Sequence, residues 1–174
     1  NKNSYEGTEI NGKTLGLIGM GRIAQELATR AQALGMNIVY FDILGQLDTV
    51  PYQYLPLEEV LRQADFLSLH IPGNPDQQPL IGAQELSLMK PTAYIINTAR
   101  GNLVDLPALC AALTGNRLAG AAFDVFPEEP KCDEHLLCHK CVSLTPHIGG
   151  STKEAQLRIG AEIVEIIEDF FAGQ

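Results

Sequence analysis

The sequence predicts an α/β fold with a doubly wound parallel sheet, built as a single domain. Three observations support this prediction. The chain has 174 residues, which is the size of one domain with a sizeable core. Short apolar runs alternate with helical patterns along its length, as they do when a crossover helix follows each strand. No internal repeat, low-complexity tract or linker interrupts this alternation.

The first unit of the alternation is a strand, a helix and a second strand. The apolar run 15–18 is typical of a buried strand, and a second strand is predicted over 37–41. Gly35 stands where a helix C-terminal cap is expected. The helix between the strands is predicted to bury one face, which consists of Ile23, Ala24, Leu27, Ala28, Ala31 and Leu34.

The remaining elements follow from the same patterns. Further strands are predicted at 66–69, 93–97, 120–124 and 142–144, with a short edge strand inside 45–56. Helices are predicted at 57–64, at 83–89, from the cap Asp105 to about 113, and from 151 to the end of the chain. Ser151-x-x-Glu154 has the form of a capping box for the last helix.

The turn between the first strand and the first helix carries Gly19-x-Gly21-x-x-Ala24. Gly19 permits a tight turn, Gly21 lets a pyrophosphate approach the backbone, and Ala24 keeps the helix close to the sheet. The free N–H groups at the helix start, in the Arg22–Ile23 region, face the phosphates. Asp42, which lies 21 residues after Gly21, would bind ribose hydroxyls and repel a 2′-phosphate. We therefore predict a Rossmann-type domain that binds NAD rather than NADP.

Ligands of such sheets bind beyond the carboxyl ends of the strands. This rule selects the residues that directly follow each predicted strand, because those ends meet at one edge of the sheet. They are Gly19–Ile23, Asp42, His70–Pro72, Thr98–Arg100, Asp124 and His147.

Three ionisable residues near this edge have complementary chemistry. His147 can exchange a proton with a hydroxyl or carbonyl oxygen near neutral pH, and the carboxylate of Glu129 can orient it and raise its pKa. The guanidinium of Arg100 suits a carboxylate beside a carbonyl. Each residue also has a plain structural interpretation: His147 as a loop residue, Arg100 as a surface ion-pair partner, and Glu129 or Asp124 as a cap.

The chain resembles the nucleotide-binding domain of the D-isomer-specific 2-hydroxyacid dehydrogenases over almost its whole length. The later motifs are more specific to that family than the glycine turn. The matching stretches are 12–24, Ile96–Gly101 with Leu103–Asp105, Ala119–Phe126 with Glu129–Pro130, and Thr145–Thr152.

The resemblance implies roles for these residues. Arg100 would bind the carboxylate and carbonyl of the substrate, and His147, paired with Glu129, would be the acid/base. Asp124 would hold the nicotinamide carboxamide. The implied cofactor residues are Gly19, Gly21, Arg22, Ile23, Asp42, His70, Ile71, Pro72, Thr98, Ala99, Asp124, His147, Gly149 and Gly150.

The resemblance also implies a small 2-hydroxy or 2-keto acid substrate and a homodimer. Family members carry a separate substrate-binding domain, so we expect residues 1–174 to be the NAD-binding domain of a longer enzyme. As such, the chain would bind cofactor and turn over little. The Gly149–Thr152 stretch favours the members that oxidise 3-phospho-D-glycerate. D-lactate or glycerate as substrate, and a non-catalytic NAD-sensing corepressor-like protein, stay open.

Composition narrows the partners. A net charge of −9 without a basic stripe argues against nucleic acid or an anionic membrane as partner. No apolar run is long enough to span a membrane, and the N-terminus lacks the apolar segment of a signal peptide, so a cytoplasmic location is expected. Cys132, His135, Cys138 and Cys141 have spacing that could bind zinc, but we expect no metal.

Overall fold

The computed structural model describes residues 7–73, 78–131, 134–137 and 139–172. Within them, strands and helices alternate as the sequence predicts. The strands are β1 (Thr14–Ile18), β2 (Asn37–Phe41), β3 (Gln53–Tyr54), β4 (Phe66–Leu69), β5 (Tyr94–Asn97), β6 (Gly120–Phe123) and β7 (Val142–Leu144). The helices are α1 (Arg22–Ala33), α2 (Leu57–Gln63), α3 (Ala83–Leu88), α4 (Leu106–Thr114), α5 (Glu134–Leu137) and α6 (Lys153–Ala172).

The strands form one seven-stranded sheet in the order β3-β2-β1-β4-β5-β6-β7. Every neighbouring pair is parallel, which confirms the predicted doubly wound sheet. Leu17 of β1 pairs with Tyr40 of β2 on one side and with Ser68 of β4 on the other. The chain runs outward in opposite directions from β1 and β4, and ligands of such sheets bind at that point.

Two apolar layers hold the sheet. The larger one packs α2, α3 and α4 against β4, β5 and β6, and includes Leu67, Leu69, Ile95 and Leu109. The smaller one packs α1 against β1 and β2. The two layers pack on opposite faces of the sheet and so hold the strands, and with them the strand ends, in place.

The buried face of α1 is narrower than the sequence pattern suggests. Ala24, Ala28 and Ala31 are buried, and these small side chains let the helix lie close to the sheet. The prediction that Ile23 and Leu34 share this face is wrong, because they are 72% and 61% exposed at the two ends of α1. The apolar pattern of α1 continues to both ends of the helix, but only its central residues are covered by the sheet.

The last helix begins one residue later than its predicted cap implies. Thr152 Oγ1 accepts a hydrogen bond from the Ala155 N–H at 3.0 Å, so Thr152 and not Ser151 caps α6. The predicted cap of α4 is confirmed, since the Asp105 carboxylate accepts from the Ala108 N–H at 3.0 Å. The four-residue helix α5 is an element that the sequence analysis did not predict.

None of the 20 residues of α6 is buried. The helix therefore presents a row of exposed large apolar side chains, which we call the α6 stripe: Leu157, Ile159, Ile163, Val164, Ile166, Ile167, Phe170 and Phe171. No helix in the described part of the chain has both the length and the hydropathy needed to cross a membrane.

Candidate cofactor and active site

The glycine turn is held between the ends of three adjacent strands. Gly19 has φ +90°, and a Cβ at that position would lie 2.7 Å from the His70 carbonyl oxygen at the end of β4. Its N–H donates to the Phe41 carbonyl at 2.8 Å, at the end of β2. Only glycine meets both the backbone angle and this close approach. The predicted requirement for a tight turn at Gly19 is thus explained by its neighbours.

Gly21 is a glycine for a different reason. It is the N-cap of α1, and a Cβ built on it would meet no atom of the described residues within 4 Å. No side chain in the described part of the chain caps α1, and the first turn of the helix carries no acidic residue. Open space therefore lies in front of unsatisfied N–H groups at a helix N-terminus, an arrangement that suits a phosphate.

Asp42 ties the glycine turn to the end of β2. Its two carboxylate oxygens accept from the Met20 N–H at 2.8 Å and the Leu44 N–H at 3.0 Å. The carboxylate is only partly buried, and each oxygen has a second lone pair. Asp42 is therefore oriented by the backbone and can still accept hydrogen bonds from a ligand.

A cavity of about 320 Å³ opens beside the glycine turn. One wall is the start of α1, a second is the segment after β4, and the third is the segment after β5. The structure thus brings together most of the predicted cofactor residues with Arg100. The lining residues are Gly21, Arg22, Ile23, Ala24, His70, Ile71, Pro72, Thr98, Ala99 and Arg100.

His70 stands in the middle wall of this cavity. Its Nε2 lies 2.9 Å from the hydroxyl of Ser68, which is buried in β4. Burial lowers the pKa of His70, because the charged imidazolium loses hydration. At neutral pH, the His70 side chain in this wall is therefore a neutral imidazole.

The segment that carries Arg100 is shaped by an amide that the sequence analysis did not single out. Asn97 is fully buried; its side-chain amide donates to the Arg100 carbonyl at 2.9 Å, and its side-chain oxygen accepts from the Ala99 N–H at 3.1 Å. The exposed Arg100 guanidinium donates to the Ala99 carbonyl at 2.7 Å. The sequence feature that could have identified Asn97 is its position, because it is a polar amide at the end of an apolar strand.

Glu129 and His147 meet across 18 positions of sequence. Glu129 Oε2 lies 2.6 Å from Nδ1 of His147, and Oε1 accepts from the Phe126 N–H at 3.1 Å. The hydrogen bond to His147, followed by that from Phe126, lowers the pKa of Glu129, which is therefore ionised at neutral pH. Because Nδ1 is engaged, Nε2 is the ring nitrogen that remains for a reacting group.

Asp124 holds the loop that carries His147. It is 6% exposed, and its carboxylate accepts from the Thr145 hydroxyl at 2.6 Å and from the N–H groups of Ile148 and Gly149, each at 2.8 Å. Burial raises the pKa of Asp124, but these hydrogen bonds outweigh it, so that the pKa is lowered. The clamp spans His147, whose φ of +56° is unusual for a side-chain-bearing residue.

A second cavity, of about 270 Å³, lies against the Glu129–His147 pair. Arg100 does not line it, so the three ionisable residues are divided between two cavities. The apolar walls of this second cavity could not be predicted from sequence, since the loop around α5 has no periodic pattern. The other lining residues are Phe126, Pro130, Leu137, Leu144, Thr145 and Pro146.

The candidate zinc ligands are only partly described. Cys132, Cys138 and the side chain of His135 lie outside the described residues, and Cys141 is exposed. Among the side chains that the structure describes, no group of three or more His, Cys, Asp or Glu could hold a metal ion.

Gly150, a predicted cofactor residue near the start of α6, faces open space among the described residues, like Gly21.

Comparisons with known proteins agree with this geometry. A family model for the D-isomer specific 2-hydroxyacid dehydrogenase NAD binding domain matches residues 1–149. The chain is 46% identical to an Escherichia coli D-3-phosphoglycerate dehydrogenase over 94% of its length and 41% of that protein. It is 42% identical to one from Dictyostelium discoideum over 97% of its length and 43% of that protein.

A solved structure matches in the same way. The crystal structure of a glyoxylate reductase from Paecilomyes thermophila is 40% identical, with a TM-score of 0.83 over 89% of this chain and 48% of the other. The chain spans about two fifths of the length of the curated relatives it matches.

Proposed function

We propose that the chain, which belongs to the D-isomer specific 2-hydroxyacid dehydrogenase family as an NAD-binding domain, is part of an enzyme that oxidises 3-phospho-D-glycerate to 3-phosphohydroxypyruvate. Two of its relatives bear the name D-3-phosphoglycerate dehydrogenase, which supports this substrate. The reaction would contribute to serine synthesis. The proposal covers the longer protein, of which residues 1–174 would be the cofactor domain.

One observation carries the proposal of catalysis: the 2.6 Å contact between Glu129 Oε2 and His147 Nδ1 at the carboxyl edge of the sheet. A protein that only sensed NAD would not need a histidine oriented for proton transfer by an ionised carboxylate. The pair therefore favours an enzyme over a corepressor-like protein. It has the form expected of a general acid/base whose second nitrogen faces the reactant.

The residues at the glycine turn fit the cofactor. Gly21 offers open space before the free N–H groups of α1, and Arg22 and Ile23 border the same cavity. Asp42 would accept hydrogen bonds from the adenosine ribose and repel a 2′-phosphate, so we propose a preference for NAD over NADP. His70, Thr98 and their neighbours would line the nicotinamide half, with Asp124, Gly149 and Gly150 near its carboxamide.

NAD, when bound, supplies the acceptor for the hydride. In the oxidation, Nε2 of His147 accepts the proton of the substrate hydroxyl. Glu129 holds the ring by Nδ1 and stabilises the imidazolium that forms. Arg100 binds the carboxylate and the oxygen on the neighbouring carbon, because its planar fork matches two acceptors. In the reverse direction, the imidazolium of His147 returns the proton to the carbonyl oxygen.

Two measurements test this function. NADH fluorescence titration of residues 1–174 should show saturable binding that is tighter than binding of NADPH. The longer protein should oxidise 3-phospho-D-glycerate faster than D-lactate or glycerate, and residues 1–174 alone should turn over little. Absence of NADH binding would contradict the proposal, and a preference for D-lactate or glycerate would change its substrate.

We also propose that the protein is a cytoplasmic homodimer. The α6 stripe supports a dimer, because its large apolar side chains are exposed along the whole helix. Apolar surface of this kind marks a protein–protein contact. Sedimentation at several concentrations should give twice the monomer mass; a monomer at all concentrations would contradict the dimer.

A further inference from the structure

Ser68 is a buried hydroxyl next to the cofactor cavity. It is 1% exposed in β4, where it pairs with Leu17 of β1 and Ile96 of β5. A hydroxyl buried in a central strand is costly unless it forms a hydrogen bond. Ser68 forms one with Nε2 of His70, at 2.9 Å. The bond therefore links a rigid strand to a side chain that lines the cavity.

His70 is fixed at its backbone as well as at its ring. Its N–H donates to the Ile18 carbonyl at 2.8 Å, and its carbonyl oxygen lies against Gly19. The bond to Ser68 removes the rotation that remains, about χ1 and χ2 of the imidazole. The hydroxyl of Ser68 can donate or accept, so the bond fixes the orientation of the neutral ring whichever nitrogen carries the proton.

We propose that Ser68 is a positioning residue for the cofactor site. Its hydroxyl holds the His70 ring in one orientation, so that the middle wall of the cavity is preorganised. A ring released from Ser68 would have to be ordered again when a ligand binds, and such ordering weakens binding. The inference rests on the proposed placement of NAD in this cavity.

The test compares Ser68→Ala with Ser68→Thr, which keeps a hydroxyl, and with Ser87→Ala, which removes an exposed serine hydroxyl of α3. We expect Ser68→Ala to raise the Kd for NADH by roughly threefold to tenfold, as expected for one released side chain. Ser68→Thr and Ser87→Ala should change it less than twofold.

A double-mutant cycle separates positioning from a general loss of stability. If Ser68 acts through His70, Ser68→Ala should have no further effect on the Kd for NADH in a His70→Ala background. Nitrogen-15 NMR of the ligand-free protein should show a changed Nε2 signal for His70 in Ser68→Ala, because the hydrogen bond at that nitrogen is lost.

The outcomes are distinct. Lack of NADH binding by the wild type would overturn the proposed function, and the positioning role with it. Normal NADH binding by Ser68→Ala, additive effects in the cycle, or unchanged His70 ring signals would overturn the positioning role alone.

Discussion

His147 Nδ1 and Glu129 Oε2 lie 2.6 Å apart, and each partner is held by its own loop. Phe126 donates its N–H to the second oxygen of Glu129, and the loop around His147 is bound to Asp124. The contact is therefore set by two backbone turns rather than by two flexible side chains. This preorganisation is what a proton-transfer pair requires.

Loss of His147, the proposed acid/base, should lower turnover far more than it weakens NADH binding. His147→Ala in the longer protein should lower kcat by about 10²- to 10⁴-fold, the usual range for a general acid/base. Glu129→Gln should lower it less, because the imidazole is kept but loses the carboxylate that stabilises its charge. Steady-state kinetics and NADH titration measure the two effects. Glu128→Gln, at the exposed neighbouring position, is the matched control and should stay near wild type.

Arg100 should matter for substrate and not for folding. Its guanidinium is exposed and, among the described residues, donates to the carbonyl of the neighbouring Ala99, so Arg100→Ala should leave the melting temperature within about 2 °C. We expect kcat/KM to fall roughly a hundredfold, because the charge that we propose to bind the substrate carboxylate is lost. Arg117→Ala removes an exposed arginine elsewhere. Equal kinetic losses in both variants would contradict the role of Arg100.

Substitution by alanine should have different effects at the two glycines of the nucleotide turn: a loss of stability at Gly19 and a loss of NADH affinity at Gly21. Gly19→Ala forces a Cβ into the left-handed region and against the His70 carbonyl, so unfolding free energy should fall by at least about 2 kcal/mol. Gly21→Ala meets open space and should change stability by less than about 0.5 kcal/mol, while weakening NADH binding. Thermal melts and NADH titrations distinguish them. NADH binding by Gly21→Ala as tight as that of the wild type would contradict the placement of the pyrophosphate.

Asp124 should make the fold sensitive to acid. Its pKa is lowered in the folded protein, so its carboxylate stabilises the fold above its usual pKa of about 4, and that stabilisation is lost as pH falls through the lowered value. Asp124→Ala should lower unfolding free energy at pH 7 by about 2 to 3 kcal/mol, since it orphans the donors of the His147 loop. Urea unfolding from pH 7 to pH 3 should show a shallower decline for the variant. An equally steep decline would assign the acid sensitivity to other carboxylates.

The order of the elements and the edge of the sheet that carries the site were predictable from sequence. Apolar runs mark the strands, and in a parallel sheet the residues that follow them converge at one edge, which is how Asp42, His70 and Arg100 were selected. The turn at Gly19 was also predictable, because the glycine spacing lies between an apolar strand and the start of a helical pattern. The same reasoning placed His147 near that edge.

Other parts of the site depend on contacts that periodicity does not encode. Asp124 binds the backbone of Ile148 and Gly149, 24 and 25 positions away, and Asn97 shapes the turn of Arg100 through its amide. Such bonds follow from loop conformation, which no repeating pattern specifies. The burial of α1 was overestimated for a similar reason. The apolar periodicity of a helix predicts which face packs on the sheet, whereas the extent of the sheet decides how many residues of that face are buried.

The α6 stripe makes the last helix a reporter of association. With no residue buried, α6 relies on its own backbone hydrogen bonds and lacks the packing that supplies most of the stability of helices in proteins. Its amides should therefore exchange with deuterium within seconds in dilute protein, long before those of β1. Slower exchange at higher protein concentration would reveal a second chain lying on that surface, without any label or change of sequence.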